Sequence, residues 1–188
     1  MNCKQFVGTT AVALATLGCL QSAMAGEWTV VKEMSSVGFV GEQQGTKFNG
    51  RFESFDATIN FDPGMAEKGS IVGTVDVATV NTRDHDRDAA LLDSDWFDSA
   101  NYPQAHFESK SIKKLDDGSY EAMGELELKG KTKPAKLTFT FDASGASAKF
   151  DGKMMINRFD FNVGEGWNDT SWVGQNVQVE VKLDLSQT

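Results

Sequence analysis

The segment NVQVEVKLDL constrains the fold more than any other. Val177, Val179, Val181, Leu183 and Leu185 occupy alternate positions, with Gln178, Glu180, Lys182 and Asp184 between them. Successive side chains of a strand point to opposite faces, so this pattern predicts a strand with one dry side. YEAMGELEL repeats it with Tyr120, Ala122, Leu126 and Leu128, and KLTFTF with Leu137, Phe139 and Phe141. Similar runs lie around residues 48–52, 57–61, 71–77, 106–112 and 149–156, punctuated by Asp62-Pro63-Gly64, Asp116-Asp117-Gly118, Gly130-Lys131 and Ser144-Gly145. Short links of this kind predict an all-β, antiparallel sheet with hairpin connections, closed as a barrel or stacked as a sandwich. The interval from Asp86 to Ala100 is the exception. There, Asp86 or Asp88 is expected to cap a short inserted helix running through Leu92.

Four of these runs carry a glycine in mid-strand on the apolar face: Phe48-x-Gly50-x-Phe52, Ile71-x-Gly73-x-Val75, Ala122-x-Gly124-x-Leu126 and Phe150-x-Gly152-x-Met154. Glycine weakens a strand, so its repetition needs a cause. One cause is the bending that a closed barrel requires. The other is a hollow left by the missing side chains, between walls of Phe and Met.

The first residues carry Lys4, an apolar run from Phe6 to Leu20 and the triplet Ala23-Met24-Ala25, the pattern of a cleavable signal peptide over residues 1–25. The run is shorter than the roughly 20 residues a spanning helix needs. Lipidation at Cys19 is disfavoured, because Leu17 is one position out of place for a lipoprotein signal. Cleavage leaves residues 26–188, a length typical of one domain, and removes both cysteines. It also removes Lys4 and no acidic residue, so the net charge moves from −9 to −10, which disfavours nucleic acid as a partner. The expected protein is exported, has no disulfide and is held together by its core.

No constellation points to catalysis. Asp84, Asp86 and Asp88 begin like a calcium loop, but Ala89 and Asp95 stand where such a loop needs Gly and Glu, so no metal is expected. His85 and His106 lack metal-ligand spacing, and no Gly-x-Ser-x-Gly elbow occurs. The segment NRFDFNVGEGWNDTSWVG gathers Arg158, Phe159, Phe161 and Trp167. It reads as a loop over one barrel mouth, with Arg158 either receiving a polar head group or pairing with Asp160 or Asp56.

The pieces GRFESFDATINFDP, VDVATVNT, RDAALLDSDWFDSANYPQAHFES, GELELKGKTKPAKLTF and RFDFNVGEGW occur in an order and spacing that resemble the YceI-like family of bacterial periplasmic polyisoprenoid-binding proteins. The resemblance spans nearly all of residues 26–188. It implies an extended antiparallel lipocalin-like β-barrel around an apolar tunnel, with Leu91, Leu92, Trp96 and Phe97 packed across one end. Ser35-Ser36 stands where many relatives have His-Ser, so no role of that histidine transfers. The Gly-Glu-Gly-Trp stretch resembles a subset sometimes associated with membrane b-type cytochromes, which suggests quinone traffic and makes such a redox protein a candidate partner.

The expected function is a periplasmic, non-enzymatic carrier or scavenger of an isoprenoid quinone, isoprenoid phosphate or similar amphiphile, with no other cofactor. Tunnel-wall candidates are Phe48, Phe52, Val75, Trp96, Phe97, Leu126, Leu128, Phe139, Met154, Ile156, Phe159, Phe161 and Trp167, with Arg158 as the head-group candidate. A homodimer is compatible with this reading. The alternatives are an enzyme using His85, His106 or an acid in the same cavity, and a soluble partner of a membrane redox protein.

Overall fold

The computed structural model describes residues 26–187, so the expected signal peptide lies outside the described residues. The strands are β1 (Glu27–Val30), β2 (Ser36–Gln43), β3 (Thr46–Phe52), β4 (Phe55–Asn60), β5 (Ser70–Asp76), β6 (Val80–Asn81), β7 (Gln104–Lys114), β8 (Tyr120–Leu128), β9 (Lys131–Ser144), β10 (Ser147–Asn157) and β11 (Asn176–Gln187). All their pairings are antiparallel. One helix, α1 (His85–Leu92), is inserted between β6 and β7.

The first six strands form three lines, each broken once. β1 and β2 both pair with β11, β4 pairs with β1 as β3 pairs with β2, and β5 pairs with β4 as β6 pairs with β3. With β7 to β11 this makes eight lines, each beside its neighbours in sequence, and the contact of β11 with β1 and β2 closes the ring. The architecture is therefore the expected lipocalin-like up-and-down barrel, and a closed ring leaves fewer sheet edges than an open sheet.

Each break reverses which residues face inward. Trp28 is buried on β1, whereas Val37 and Phe39 are buried on β2. Ser35 holds that break by donating its hydroxyl to the Val31 carbonyl (2.7 Å) and accepting the Asp184 N–H (3.0 Å). Glu53 and Ser54 separate β3 from β4, and a short 3-10 turn (Val77–Thr79) separates β5 from β6. A further shift at Ser109/Ser111 moves the inward set of β7 from Ala105 and Phe107 to Ile112.

Helix α1 starts two residues earlier than a cap at Asp86 would place it and four earlier than one at Asp88. Asp84 is its N-cap, accepting the Arg87 N–H at 3.1 Å. Asp88 instead accepts the Thr82 N–H (2.7 Å) and hydroxyl (2.6 Å), tying the helix to β6. Leu91 and Phe97 are buried, with Leu92 and Trp96 packed beside them, so the helix and the turn after it close one end of the barrel.

Candidate functional site

The two ends of the barrel are filled differently. At one end Phe61 meets Tyr120, Phe139 and Phe141 edge-on, with ring centroids 4.8, 5.3 and 4.9 Å apart, and Phe139 stacks on Phe150 at 4.7 Å. Trp28 packs on Phe141 at 5.3 Å and donates its indole N–H to the Phe61 carbonyl at 3.0 Å. This end is a solid aromatic floor.

Above it the barrel is hollow. The cavity has a volume of about 180 Å³ within about 1350 Å³ of atom-free space that includes its mouth. It runs from Leu137 and Phe150 at the floor to Trp96, Phe97 and Val163 under the helical end. Small inward residues create the room: Ala57 and Val75 flank Gly73 and Ala105 across β4, β5 and β7. A Cβ on Gly73 would meet nothing within 4 Å. The other three mid-strand glycines have a different role. A Cβ on Gly50 would lie 2.3 Å from the Phe39 ring, on Gly124 2.3 Å from the Glu108 carbonyl, and on Gly152 2.8 Å from the Phe150 ring. One of the four positions leaves space, and three accept a neighbour's ring or backbone.

The wall of β11 carries the same signature. Leu183 and Leu185 are fully buried, while Val177, Val179 and Val181, on the same face, are only half-buried and line the cavity. Their residual exposure is to the hollow.

Of the wall candidates, the structure brings Phe48, Phe52, Val75, Trp96 and Phe97 to the cavity, and also Leu126, Leu128, Met154 and Ile156. Phe139 belongs instead to the aromatic floor, sealed off by Phe150. Phe161 is buried in the packing under α1, and Phe159 lies against the Arg158 guanidinium at 4.1 Å. Trp167 is half-exposed beside Trp96, with ring centroids 6.2 Å apart. Val37, Phe39 and Phe107 are lining residues that the sequence reading did not name.

Arg158 corrects the head-group expectation. It touches the cavity, but the residue is 2% exposed and all five of its N–H groups are spent on backbone carbonyls. Nε donates to Gly174 (3.1 Å), Nη1 to Val163 and Gly164 (both 2.9 Å), and Nη2 to Trp167 and Val173. Burial pulls its pKa below the usual guanidinium value. The expected pairing with Asp160 or Asp56 is not formed: among the described residues Arg158 has no ion pair, and Asp56 pairs with Lys32. The guanidinium is the hub that holds residues 162–175 over the barrel end.

The histidines lie apart. His85 is almost fully exposed on α1. His106 sits on the wall with Nδ1 3.0 Å from the Thr74 hydroxyl. Among the described residues no His, Cys, Asp and Glu side chains cluster as metal ligands would.

Comparisons with known proteins agree with this architecture. The chain superimposes on a crystal structure of Burkholderia cenocepacia BcnA with a TM-score of 0.79 at 36% identity, covering 82% of this chain and 98% of that one. A polyisoprenoid binding domain from Saccharophagus degradans has the same fold, with a TM-score of 0.66 at 16% identity over 88% of this chain and 99% of that one. Protein YceI of Escherichia coli O157:H7 is 32% identical over 169 residues, covering 85% of this chain and 87% of that protein. A UPF0312 protein of Pseudomonas syringae pv. tomato is 30% identical over 85% of this chain and 88% of its own length. The YceI-like domain model matches residues 28–185, from the tryptophan of the floor to Leu185 on the closing strand, and the chain belongs to that family.

Proposed function

We propose that this protein is a periplasmic carrier or scavenger that holds the tail of an isoprenoid, either a quinone or an isoprenoid phosphate, or of a similar amphiphile, inside its barrel. The observation that carries the proposal is the apolar hollow between the aromatic floor and the helical end, lined by Phe52, Val75, Leu126, Met154 and Val179. Burying alkyl surface stabilises by about 0.8 kcal/mol per methylene, so a tail binds here without a reacting group. An apolar cavity of about 150 Å³ is enough to take up benzene. The enclosed part of this one therefore suits one ring or a short branched segment, and a longer tail extends into the mouth. The name of the Saccharophagus relative, a polyisoprenoid binding domain, supports the same class of ligand. The signal-like leader supports export, and with a quinone as cargo the natural partner is a membrane b-type cytochrome that shares it.

Native mass spectrometry of the protein purified from its own periplasm tests the proposal. A stoichiometric isoprenoid released by organic extraction would support it. A clean apo mass, from protein that also refuses added quinones, would overturn it.

A further inference from the structure

If the barrel holds a lipid tail, its head group must sit somewhere, and the full engagement of Arg158 leaves that place open. A second, polar pocket lies at the tip of the β2–β3 hairpin, lined by Gln43, Gln44, Thr46, Phe48 and Arg87. Phe48 is common to this pocket and to the apolar cavity. Its ring lies over Gly41, where a Cβ would come within 2.7 Å of Cζ, so it forms the partition between the two spaces. On the ring stands Arg87, its guanidinium carbon 4.2 Å from the centroid. The hairpin tip is pinned to the loop held by Arg158, through Gln44 N–H to the Trp172 carbonyl at 2.8 Å.

The charges around this pocket decide what it can receive. Arg87 donates from Nε to the Gln43 side-chain oxygen (3.3 Å), and its Nη2 lies 3.3 Å from an Asp84 carboxylate oxygen. Its Nη1 has no hydrogen-bond partner among the described residues, which leaves a free donor in a pocket that also offers two amides and a hydroxyl. Yet Asp84 already offsets the cation, Asp86 and Asp88 follow on the same helix, and Glu42 borders the cavity. An anion placed here meets a guanidinium already shared with Asp84, and Lys47, the cation next to Thr46, stands opposite Glu42 in the hairpin, whereas an uncharged oxygen acceptor gains a hydrogen bond without the Asp84 repulsion.

Building on the lipid-carrier proposal, we infer that the Gln43–Gln44–Thr46–Arg87 pocket is the head-group subsite, and that it selects uncharged oxygen-bearing heads, such as an alcohol, carbonyl or amide, over phosphates. Phe48 is the door between head and tail.

The test compares farnesol, farnesyl phosphate and the headless 2,6,10-trimethyldodecane as displacers of N-phenyl-1-naphthylamine from the mature protein. Farnesol should bind about tenfold tighter than farnesyl phosphate, as one hydrogen bond gained against one repulsion incurred would give. Arg87→Leu should weaken farnesol roughly fivefold and leave trimethyldodecane unchanged. Asp84→Asn keeps a capping side chain and should strengthen farnesyl phosphate alone. Phosphate binding as tight as farnesol in the wild type would overturn the inference. So would an Arg87→Leu loss shared equally by trimethyldodecane, which would mark Arg87 as packing for Phe48. If none of the three displaces the probe, the lipid-carrier proposal itself falls and the subsite falls with it.

Discussion

Replacing Arg158 should unfasten one end of the barrel. Its guanidinium satisfies five carbonyls, and two of those bonds, to Val163 and Gly164, are fully buried. The other three, to Gly174, Trp167 and Val173, are partly buried, so water can recover them in a variant. A buried acceptor left unmade costs about 1–3 kcal/mol, and a water-accessible one a few tenths. Arg158→Ala should therefore cost about 3–7 kcal/mol, set against the roughly 5–15 kcal/mol by which a domain is stable. With a urea slope near 2 kcal/mol/M, the unfolding midpoint would fall by about 1.5–3.5 M. Arg158→Lys keeps the charge but has only three donors and no planar fork, so about half of that loss should remain. Urea unfolding followed by tryptophan fluorescence reads both, because Trp96 and Trp167 lie against this hub. A loss below about 1 kcal/mol, combined with weakened lipid binding, would refute the structural role and restore Arg158 as a head-group receiver.

The four mid-strand glycines give a paired prediction. Gly73→Val should leave stability unchanged or raise it by up to about 1 kcal/mol while reducing farnesol uptake, because its side chain would enter the hollow. Gly124→Val should cost about 1–3 kcal/mol, because the Glu108 carbonyl is fixed in the sheet; equal unfolding midpoints for the two variants would contradict the assignment of space. The pH dependence follows from charges on the outer surface. Side-chain hydrogen bonds from Asn81, Ser119, Lys113 and Ser171 hold Glu53, Asp117, Glu121 and Asp169 below their ordinary values. Each contributes stability above its unfolded pKa that is lost as pH falls through the lower folded one. Lys110, raised by its bond to Glu108, contributes below its ordinary value of 10.5 and loses that as pH climbs past its folded value. Thermal unfolding should thus show a plateau between about pH 5 and pH 9 and decline on the acid side; a step inside the plateau would contradict this.

Much of the barrel could be read from period-2 alternation because most strands keep one inward parity from end to end. On β10, Ala148, Phe150, Gly152 and Met154 all face in, and β11 behaves alike. The breaks could not be read that way. No motif announces that Trp28 and Phe39 point inward on opposite parities, since the exchange is held by Ser35, which bonds Val31 four residues back and Asp184 on a strand some 150 residues away. The glycine pattern signalled a hollow correctly at Gly73 but equally marked Gly50, which a phenyl ring fills. Only the partners across the strands distinguish the two. Phe139 has the face of a wall residue, but its depth along the barrel axis depends on how strands stagger, which alternation does not encode. For Arg158, the nearby aromatic and acidic residues suggested a ligand or an ion pair, while its actual partners are carbonyls, which every residue supplies and no motif displays.

The closing seam sets an order of events for the growing chain. Trp28 lies opposite Gln187 and Val37 opposite Val181, so the first strands find their second neighbour only in the final twelve-residue strand. A nascent chain arriving N-terminus first can add its hairpins one by one, each onto the strand just made, but the sheet stays open along two edges until β11 has emerged. During that interval both edges can capture a neighbouring chain. Slow delivery of the last residues, or their truncation, prolongs or fixes that state, so this protein should depend on a holding chaperone more than its native stability would suggest.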